Sequence, residues 1–243
     1  MNFSEGYLTN SSARVKKLDS SIKKYEPVAG RTMPSIDQLA VGEGRLFDLA
    51  VLFVDLVDCT DTISKLNLDQ ASRWLIHFLI ESTRIIRDYG GQVEKYSGDR
   101  VLGLFGTEGG TLKDAATSAL YCAVVIRCIV RKILSPFYVE KNLPKAEVKI
   151  GMDFGQVKID KVGIRGNSEL SAIGTTVNIA SKLENIAKPN EILIGNELFK
   201  LLEQRDQGFS SKQVTIDDWG YHYDKSEEVY SYYLYNADYD SCK

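Results

Sequence analysis

The sequence predicts an α/β domain in which helices pack on a β-sheet, and three patterns along the chain lead to that prediction. Residues 49–56 form a short apolar run rich in β-forming side chains, which is typical of a buried strand. Two long stretches carry apolar residues at helical spacing, and a pair of short strands with a tight turn separates them. The resulting order is the βαββαβ pattern of a ferredoxin-like sheet with helices packed on it.

The first strand leads into a polar turn and then into a long amphipathic helix. The turn, residues 55–62, is rich in Asp and Thr, which cap helices well. The apolar residues that follow at i, i+3, i+4 spacing predict a helix of about five turns, which Gly90-Gly91 ends. They are Ala71, Trp74, Leu75, Phe78, Leu79, Ile85 and Ile86.

The next elements are a hairpin and a second long helix. Residues 92–96 and 101–105 are β-type runs, and the turn Ser97-Gly98-Asp99 joins them. The second helix is predicted over 112–134, with Pro136 just past its end.

The C-terminal half alternates again between strands and helices. Residues 148–154 and 157–162 are predicted as two strands joined at Gly155, and a third helix begins after Gly174. Residues 191–194 form a further strand, followed by a short helix and β-type segments.

Composition narrows the function classes. A net charge of −3 and a pI of about 5.6 disfavour a nucleic-acid partner. The N-terminus lacks the apolar core of a signal peptide, no run approaches the ~20 apolar residues of a membrane span, and the four cysteines show no zinc spacing. We therefore expect a cytoplasmic protein without a transmembrane segment. Residues 1–44 are polar and are predicted to be an extension with one short helix at 14–25.

Two acidic residues are candidates for metal binding. Asp55 ends the first strand, and Asp99 lies in the hairpin turn. Because the two strands are neighbours in this topology, both carboxylates are expected at the same end of the sheet. Like charges so placed repel unless a cation lies between them, and Mg²⁺ or Mn²⁺ binds carboxylate and phosphate oxygens together. The alternative is that each aspartate only ends a strand or fills a turn.

Three segments around these residues resemble the motifs of class III nucleotide cyclases. Residues 53–60 (Phe-Val-Asp-Leu-Val-Asp-Cys-Thr) resemble the first metal motif, and residues 90–99 resemble the hairpin motif. Residues 174–184 (Gly-Thr-Thr-Val-Asn-Ile-Ala-Ser-Lys-Leu-Glu) resemble the helix that contacts the transition state. The resemblance implies a catalytic domain over 45–236, preceded by the extension 1–44 and followed by a tail at 237–243.

The resemblance also implies roles for individual residues. Asp55 and Asp99 would hold two Mn²⁺ or Mg²⁺ ions, which activate the ribose 3′-hydroxyl and hold the triphosphate. Asn178 would orient the ribose and Lys182 would face the α-phosphate, both from the opposite protomer of a homodimer. The turn after Asp55 would offer backbone N–H groups to the phosphates. The further residues implied against the nucleotide are Phe53, Leu56, Val57, Asp58, Cys59 and Thr60.

Two positions depart from the family pattern. Lys182 stands where the family usually has Arg, and it acts only as a point charge because it lacks the two-pronged guanidinium. Asp58 stands where Gly is common, and it adds a negative charge beside the phosphates. That charge either slows the reaction or binds metal itself.

The base-reading positions of purine cyclases map onto Lys95 and Ser171. Without Glu at the first position, guanine lacks a strong acceptor for its N–H groups. A donor-rich pocket suits uracil, whose O2 and O4 accept while only N3–H needs an acceptor such as the Ser171 hydroxyl. Cytosine would present an amino group that Lys95 does not satisfy.

A second resemblance points to pyrimidine bases. Residues 96–100, residues 163–170 and Lys182 resemble the bacterial pyrimidine nucleotide cyclases of Pycsar anti-phage signalling. Arg100 replaces the small residue that usually follows the second metal aspartate, so it is expected to narrow the pocket toward a single ring. The implied product is cyclic UMP, with cyclic CMP second, made from UTP as a signal for a separate effector protein. An adenylate cyclase and a non-catalytic nucleotide-binding module remain the alternatives.

Overall fold

The structure is a computed structural model that describes residues 13–14, 17, 28–30, 32–107, 110–164, 166–203, 211–214, 221–222 and 229–236. Most of the predicted helix at 14–25 and the whole predicted tail at 237–243 lie outside the described residues. The predicted limits of the extension and of the catalytic domain remain predictions. Within the described part of the extension, Val28–Ala29 pairs in parallel with the first long strand.

The described residues form the following strands and α-helices. The strands are β1 (Val28–Ala29), β2 (Gly44–Leu56), β3 (Gly91–Ser97), β4 (Arg100–Phe105), β5 (Val148–Ile164), β6 (Asn167–Ile173), β7 (Ile192–Gly195), β8 (Ser211–Val214) and β9 (Tyr232–Tyr235). The helices are α1 (Cys59–Ser64), α2 (Leu68–Asp88), α3 (Leu112–Ile129), α4 (Ser135–Glu140), α5 (Thr175–Ile186) and α6 (Asn196–Glu203). None of these helices is both long and apolar enough to cross a membrane.

The sheet has the order β3-β4-β2-β5-β7-β9-β8, with β1 added to β2 and β6 added to β5. β2 lies between β4 and β5 and is antiparallel to both, while β5 and β7 run parallel. Together with α2 and α3, these strands give the predicted βαββαβ order. The prediction of a mixed α/β fold with helices packed on the sheet is confirmed.

Side chains of β2 alternate between the two faces of the sheet, as the period of a strand requires. Ala50, Leu52 and Val54 face a large apolar core shared with α2 and α3. Leu49, Val51 and Phe53 face a smaller cluster under α5 and β6, and Asp55 continues this second row. The side of the sheet covered by α5 is called the α5 face below.

The second long helix differs from the prediction. α3 ends at Ile129, a π-helical turn follows at Val130–Leu134, and α4 continues the helical path over Ser135–Glu140. Pro136 therefore lies in the first turn of α4 instead of beyond the helix. Proline is tolerated there because first-turn N–H groups have no intrahelical partner.

The two strands predicted at 148–154 and 157–162 are one continuous strand, β5. Glycines in this strand leave room for α5 and do not break the strand. A Cβ on Gly151 would lie 2.1 Å from the backbone N of Glu184, and a Cβ on Gly155 would lie 2.5 Å from Oγ1 of Thr176. The close approach brings the backbone of α5 onto the strand beside Asp55.

Candidate active site

The fold brings the two candidate metal ligands together. Val54 pairs with Val101 across β2 and β4, so Asp55 lies beside the hairpin turn that contains Asp99. Gly98 has φ of 66° in that turn, a conformation that glycine adopts without strain. The Asp99 carboxyl lies close enough to Asp55 to raise the pKa of Asp55. The expected meeting of the carboxylates is therefore present, while their role as ligands stays a prediction.

Asp55 lies in an environment that disfavours its negative charge. Its side chain is 17% exposed. Burial, followed by the charges of Glu184 and Asp99, raises the pKa of Asp55 to about 7. Its Oδ1 is buried and has no hydrogen-bond partner among the described residues. Two close carboxylates with an unsatisfied oxygen fit a hard divalent cation, which removes both the repulsion and the unmet acceptor.

Arg100 links the metal-site hairpin to helix α5. Its Nη2 lies 2.5 Å from Oε2 of Glu184 and 3.9 Å from Oδ2 of Asp55. It also donates to Asn185 at 2.9 Å and to Ser181 at 3.4 Å. These contacts hold the guanidinium next to the carboxylates at the edge of the site.

Two further contacts complete the surroundings of Arg100. Its guanidinium carbon lies 5.7 Å from the centre of the Phe53 ring, a cation–π distance. Glu184 is completely buried and also pairs with Lys149, with 3.5 Å between Nζ and Oε1. Burial raises the pKa of Glu184, and the two cations act in the opposite direction. The sequence carries no signal for the pair of Glu184 and Lys149, because these residues are distant in the chain.

The turn after Asp55 has an unusual backbone at Asp58. Asp58 precedes α1 with φ of 50° and ψ of 35°, in the left-handed region. This conformation explains why glycine is favoured at such a position. The N–H of Val57 donates to the carbonyl of Glu147 at 2.9 Å, so this N–H is already engaged in the structure, and its predicted contact with a phosphate stays a prediction.

The other residues of this turn that are predicted to contact the nucleotide differ in burial and orientation. Leu56 is buried in the core under α2 and α3, so its side chain faces away from the site. Cys59 and Thr60 begin α1, where first-turn N–H groups lack intrahelical partners. Burial and the nearby Asp99 and Asp55 carboxylates raise the pKa of the Cys59 thiol to about 12, which keeps it protonated.

The structure places a carboxylate next to the predicted base-reading residues. Lys95 is on β3 and Ser171 is on β6, two strands that do not pair with each other. Glu94 bridges them, because its Oε1 accepts from the N–H of Ala172 at 2.9 Å and lies 3.4 Å from Nζ of Lys95. The sequence signal for Glu94 is weak, since it is the extra residue of a β-bulge and breaks the strand period.

Asn178 and Lys182 lie four residues apart on α5, and both are exposed. Residues separated by four positions share one face of a helix. This exposed face leaves both side chains free to enter a site on a second copy of the chain.

A cleft of about 560 Å³ lies between β3 and the C-terminal part of α2. It is lined by Thr83 and Arg87 on the helix and by residues 90–96 on the strand. The cleft contains Lys95 but neither Asp55 nor Asp99. Asp55 instead continues the row of β2 side chains on the α5 face, where its side chain is 17% exposed.

The fold agrees with what comparison with known proteins shows. Residues 43–234 match the family model of the adenylate and guanylate cyclase catalytic domain. Because the match covers most of the chain, the protein belongs to this family of class III nucleotide cyclases. Members of the family are nucleotide cyclases that use divalent metal ions.

Individual relatives include pyrimidine cyclases. The chain is 32% identical over 175 residues to a uridylate cyclase of Burkholderia cepacia, covering 70% of this chain and 74% of that protein. It is 30% identical over 155 residues to a cytidylate cyclase of Staphylococcus aureus, covering 63% of this chain and 37% of the relative. The crystal structure of the adenylyl cyclase CyaB from P. aeruginosa superimposes with a TM-score of 0.71 at 23% identity, covering 82% of this chain and 98% of that one.

Proposed function

We propose that this nucleotide cyclase converts UTP to 3′,5′-cyclic UMP and pyrophosphate. The observation that carries the proposal is the meeting of Asp55 and Asp99 at one end of the sheet, with Arg100 held beside them. The similarity to a uridylate cyclase and a cytidylate cyclase supports a pyrimidine base.

The carboxylates of Asp55 and Asp99 would hold two divalent ions, Mn²⁺ or Mg²⁺. Bound ions of this kind supply Lewis acidity to the ribose 3′-oxygen and to the triphosphate. The first-turn N–H groups of Cys59 and Thr60 would bind phosphate oxygens. The ribose 3′-oxygen would attack the α-phosphorus in line and form a new P–O bond. The bond between the α-phosphorus and the oxygen that bridges to the β-phosphate breaks, so pyrophosphate leaves. The hydroxyl proton passes to solvent.

A homodimer completes the site in this proposal. Asn178 would hold the ribose so that its 3′-oxygen points at the α-phosphorus, and Lys182 would place positive charge against the α-phosphate. Both residues are exposed on α5, and the Arg100 contacts fix the same helix in each chain. Each protomer would therefore provide the carboxylates of one site and the α5 side chains of the other.

The position of Arg100 supports a preference for a single-ring base. Its side chain occupies space between Phe53 and α5, beside the carboxylates, where a small residue would leave a larger pocket. Lys95 would donate to a base carbonyl oxygen. We propose that the cyclic pyrimidine product acts as an anti-phage alarm signal and is read by a separate effector protein.

The test is incubation of the pure protein with UTP, CTP, ATP and GTP in turn, each with Mn²⁺, and chromatography of the products. We expect cyclic UMP as the main product and cyclic CMP as a minor one. Formation of cyclic AMP alone would replace the pyrimidine assignment with that of an adenylate cyclase. If none of the four triphosphates gave a product, a non-catalytic nucleotide-binding module would be favoured. The departures from the family pattern at Asp58 and Lys182 are consistent with that alternative.

A further inference from the structure

We infer that Glu94 reads the nucleobase, accepting a hydrogen bond from a ring N–H through its second carboxylate oxygen. The inference rests on the proposed function and names a specificity-determining residue for it. Four features support it: the burial of Glu94, its unmet hydrogen bond, its backbone position and its neighbours.

Glu94 is a buried carboxylate with one oxygen unsatisfied. Its side chain is only 3% exposed. Oε1 is engaged by the N–H of Ala172 and lies near Lys95, whereas Oε2 is buried and has no hydrogen-bond partner among the described residues. Leaving such an acceptor without a donor is costly, so a ligand N–H that reaches Oε2 gains that energy on binding.

The backbone turns this carboxylate toward the α5 face. Val93 pairs with Gly103 and Lys95 pairs with Leu102, so Glu94 is the extra residue of a bulge. Leu102 belongs to the cluster on the α5 face, and its pairing with Lys95 puts the Lys95 side chain on that face of the edge strand β3, whose backbone also borders the cleft against α2. A bulge re-aims the side chains beside it, and this one places an acid and a base next to each other on the same side.

The neighbours of Glu94 belong to the candidate site. Ala172 directly follows Ser171, and Ala172 shares the α5-face cluster with Phe53. Through its contact with Ala172, the carboxylate joins strands β3 and β6, which carry the two predicted base-reading residues. Sequence reasoning assigned the acceptor role to the Ser171 hydroxyl alone. A carboxylate is a stronger acceptor than a hydroxyl and lies on the same face.

The pairing of Glu94 with Lys95 defines what the pocket recognises. Uracil presents a carbonyl oxygen beside N3–H, so Lys95 donates to the oxygen while Oε2 accepts from N3–H. Cytosine has an unprotonated N3 at the same ring position, and it would face the carboxylate with a second acceptor. A site whose polar group is left unpaired rejects the wrong base strongly.

The substitution Glu94→Gln tests the inference. Its amide oxygen still accepts from the Ala172 N–H, but an NH₂ group replaces Oε2 and donates instead of accepting. We expect kcat/KM for UTP relative to CTP to shift toward CTP by about 100-fold. Glu81→Gln, at an exposed surface pair with Arg84, is the matched control and should leave the ratio unchanged.

Equal losses with UTP and CTP in Glu94→Gln would overturn the inference, since they would mean that Glu94 only holds β6 in place. If the variant does not fold, the same inference is tested on the wild-type protein with modified substrates. N3-methyl-UTP lacks the N–H and should react about 100-fold more slowly than 5-methyl-UTP. Equal rates for the two analogues would also overturn it.

The outcome separates this inference from the proposed function. If the wild-type protein cyclises only ATP, the uridylate assignment fails. In that case, a change in the order of kcat/KM among the four triphosphates in Glu94→Gln would still identify Glu94 as a base-reading residue. An unchanged order would overturn the inference as well.

Discussion

The two faces of the sheet are built from different side chains although they share the same strands. The face under α2 and α3 is closed by apolar residues, including Trp74 and Phe78, which are almost completely buried. The α5 face has a smaller apolar cluster and buried charges, among them Asp55, Glu94 and Glu184. Burying a carboxylate costs free energy even when it is paired, and among the residues that the structure describes Oδ1 of Asp55 and Oε2 of Glu94 accept no hydrogen bond, so these groups add little to stability.

Residues that stabilise the fold and residues of the candidate site therefore lie on opposite sides of the same strands. Alternation along β2 sends Val54 into the apolar core and Asp55 into the candidate site. Substitutions of the charged residues on the α5 face should therefore lower catalytic activity more than they lower the free energy of unfolding. Substitutions in the core under α2 and α3 should lower the free energy of unfolding more than they lower activity.

The largest effect is expected for Asp55→Asn. Replacing a metal-binding carboxylate by a neutral amide should lower kcat/KM by at least about 10³-fold. The reason is that bound divalent ions stabilise the charge of a phosphoryl-transfer transition state by several kcal/mol. The melting temperature should stay equal or rise, because the substitution removes repulsion from Glu184 and Asp99. Product formation from each triphosphate and thermal unfolding are the measurements.

Asp61→Asn provides the control for that prediction. Asp61 is also near the start of α1, but it is exposed, and its carboxylate pairs with the exposed Lys65 at 2.6 Å. Its loss should change neither activity nor melting temperature measurably. Full turnover by Asp55→Asn would refute the two-carboxylate site, and a large drop in its melting temperature would refute the separation of the two faces.

The opposite effect is expected for Trp74→Ala on the apolar face. Trp74 is 1% exposed, and its indole N–H donates to the carbonyl of Pro144 at 3.0 Å. Truncation should lower the free energy of unfolding by about 3–5 kcal/mol through a cavity and an unpaired carbonyl. Denaturant titration measures this, with Ile76→Ala, exposed on the same helix, as a control that should cost little. A stable Trp74→Ala protein without activity would contradict the contrast.

The parts of this fold that sequence predicts are those with a local signal. The apolar run of β2 and the turn at Gly98-Asp99 are read from neighbouring residues, and topology then places Asp55 beside Asp99. Pro136 misled the prediction, because a proline that ends one helix is also accepted in the first turn of the next. Glycines of β5 misled it too, since Gly155 serves close packing instead of a turn.

The rest of the site has no local signal. Arg100 and Glu184 are 84 positions apart, as 184 − 100 = 84, and only the packed structure shows that they form an ion pair. Glu94 looks like one more polar strand residue until the bulge and the distant Ala172 N–H are known. Long-range contacts and irregular backbone therefore limit what sequence alone predicts about specificity.

A smaller effect concerns Asp153, a buried carboxyl on the α5 side that accepts a hydrogen bond from the Tyr230 hydroxyl at 2.8 Å. Burial raises its pKa from 3.8 to about 7. The folded protein therefore keeps a proton that the unfolded chain releases. The resulting stabilisation is complete below pH 3.8 and is lost as the pH rises through about 7.

We expect the free energy of unfolding to fall by roughly 2 kcal/mol or more between about pH 5 and about pH 8. Asp153→Asn should remove about half of this slope, because the pKa of Asp55 is raised from the same value to about 7 and the part due to Asp55 should remain. Denaturant midpoints across the pH range are the measurement, with Asp61→Asn as the control for an exposed carboxylate. An unchanged slope in Asp153→Asn would mean that this carboxyl is already ionised in the folded protein.

The smallest effect is expected for Asp58→Gly, which separates backbone strain from charge. Asp58 has φ of 50°, so glycine should relieve strain, and the gain in stability should be at most about 1 kcal/mol because glycine also loosens the unfolded chain. The same change removes a negative charge beside the proposed phosphate site and should lower KM.

The substitution Asp58→Asn is the control for the charge, because asparagine also adopts the left-handed backbone conformation and the change removes only the charge. Equal KM values for Asp58→Asn and wild type would show that the charge does not act on the substrate, whereas a lowered KM in both variants would place Asp58 at the phosphates.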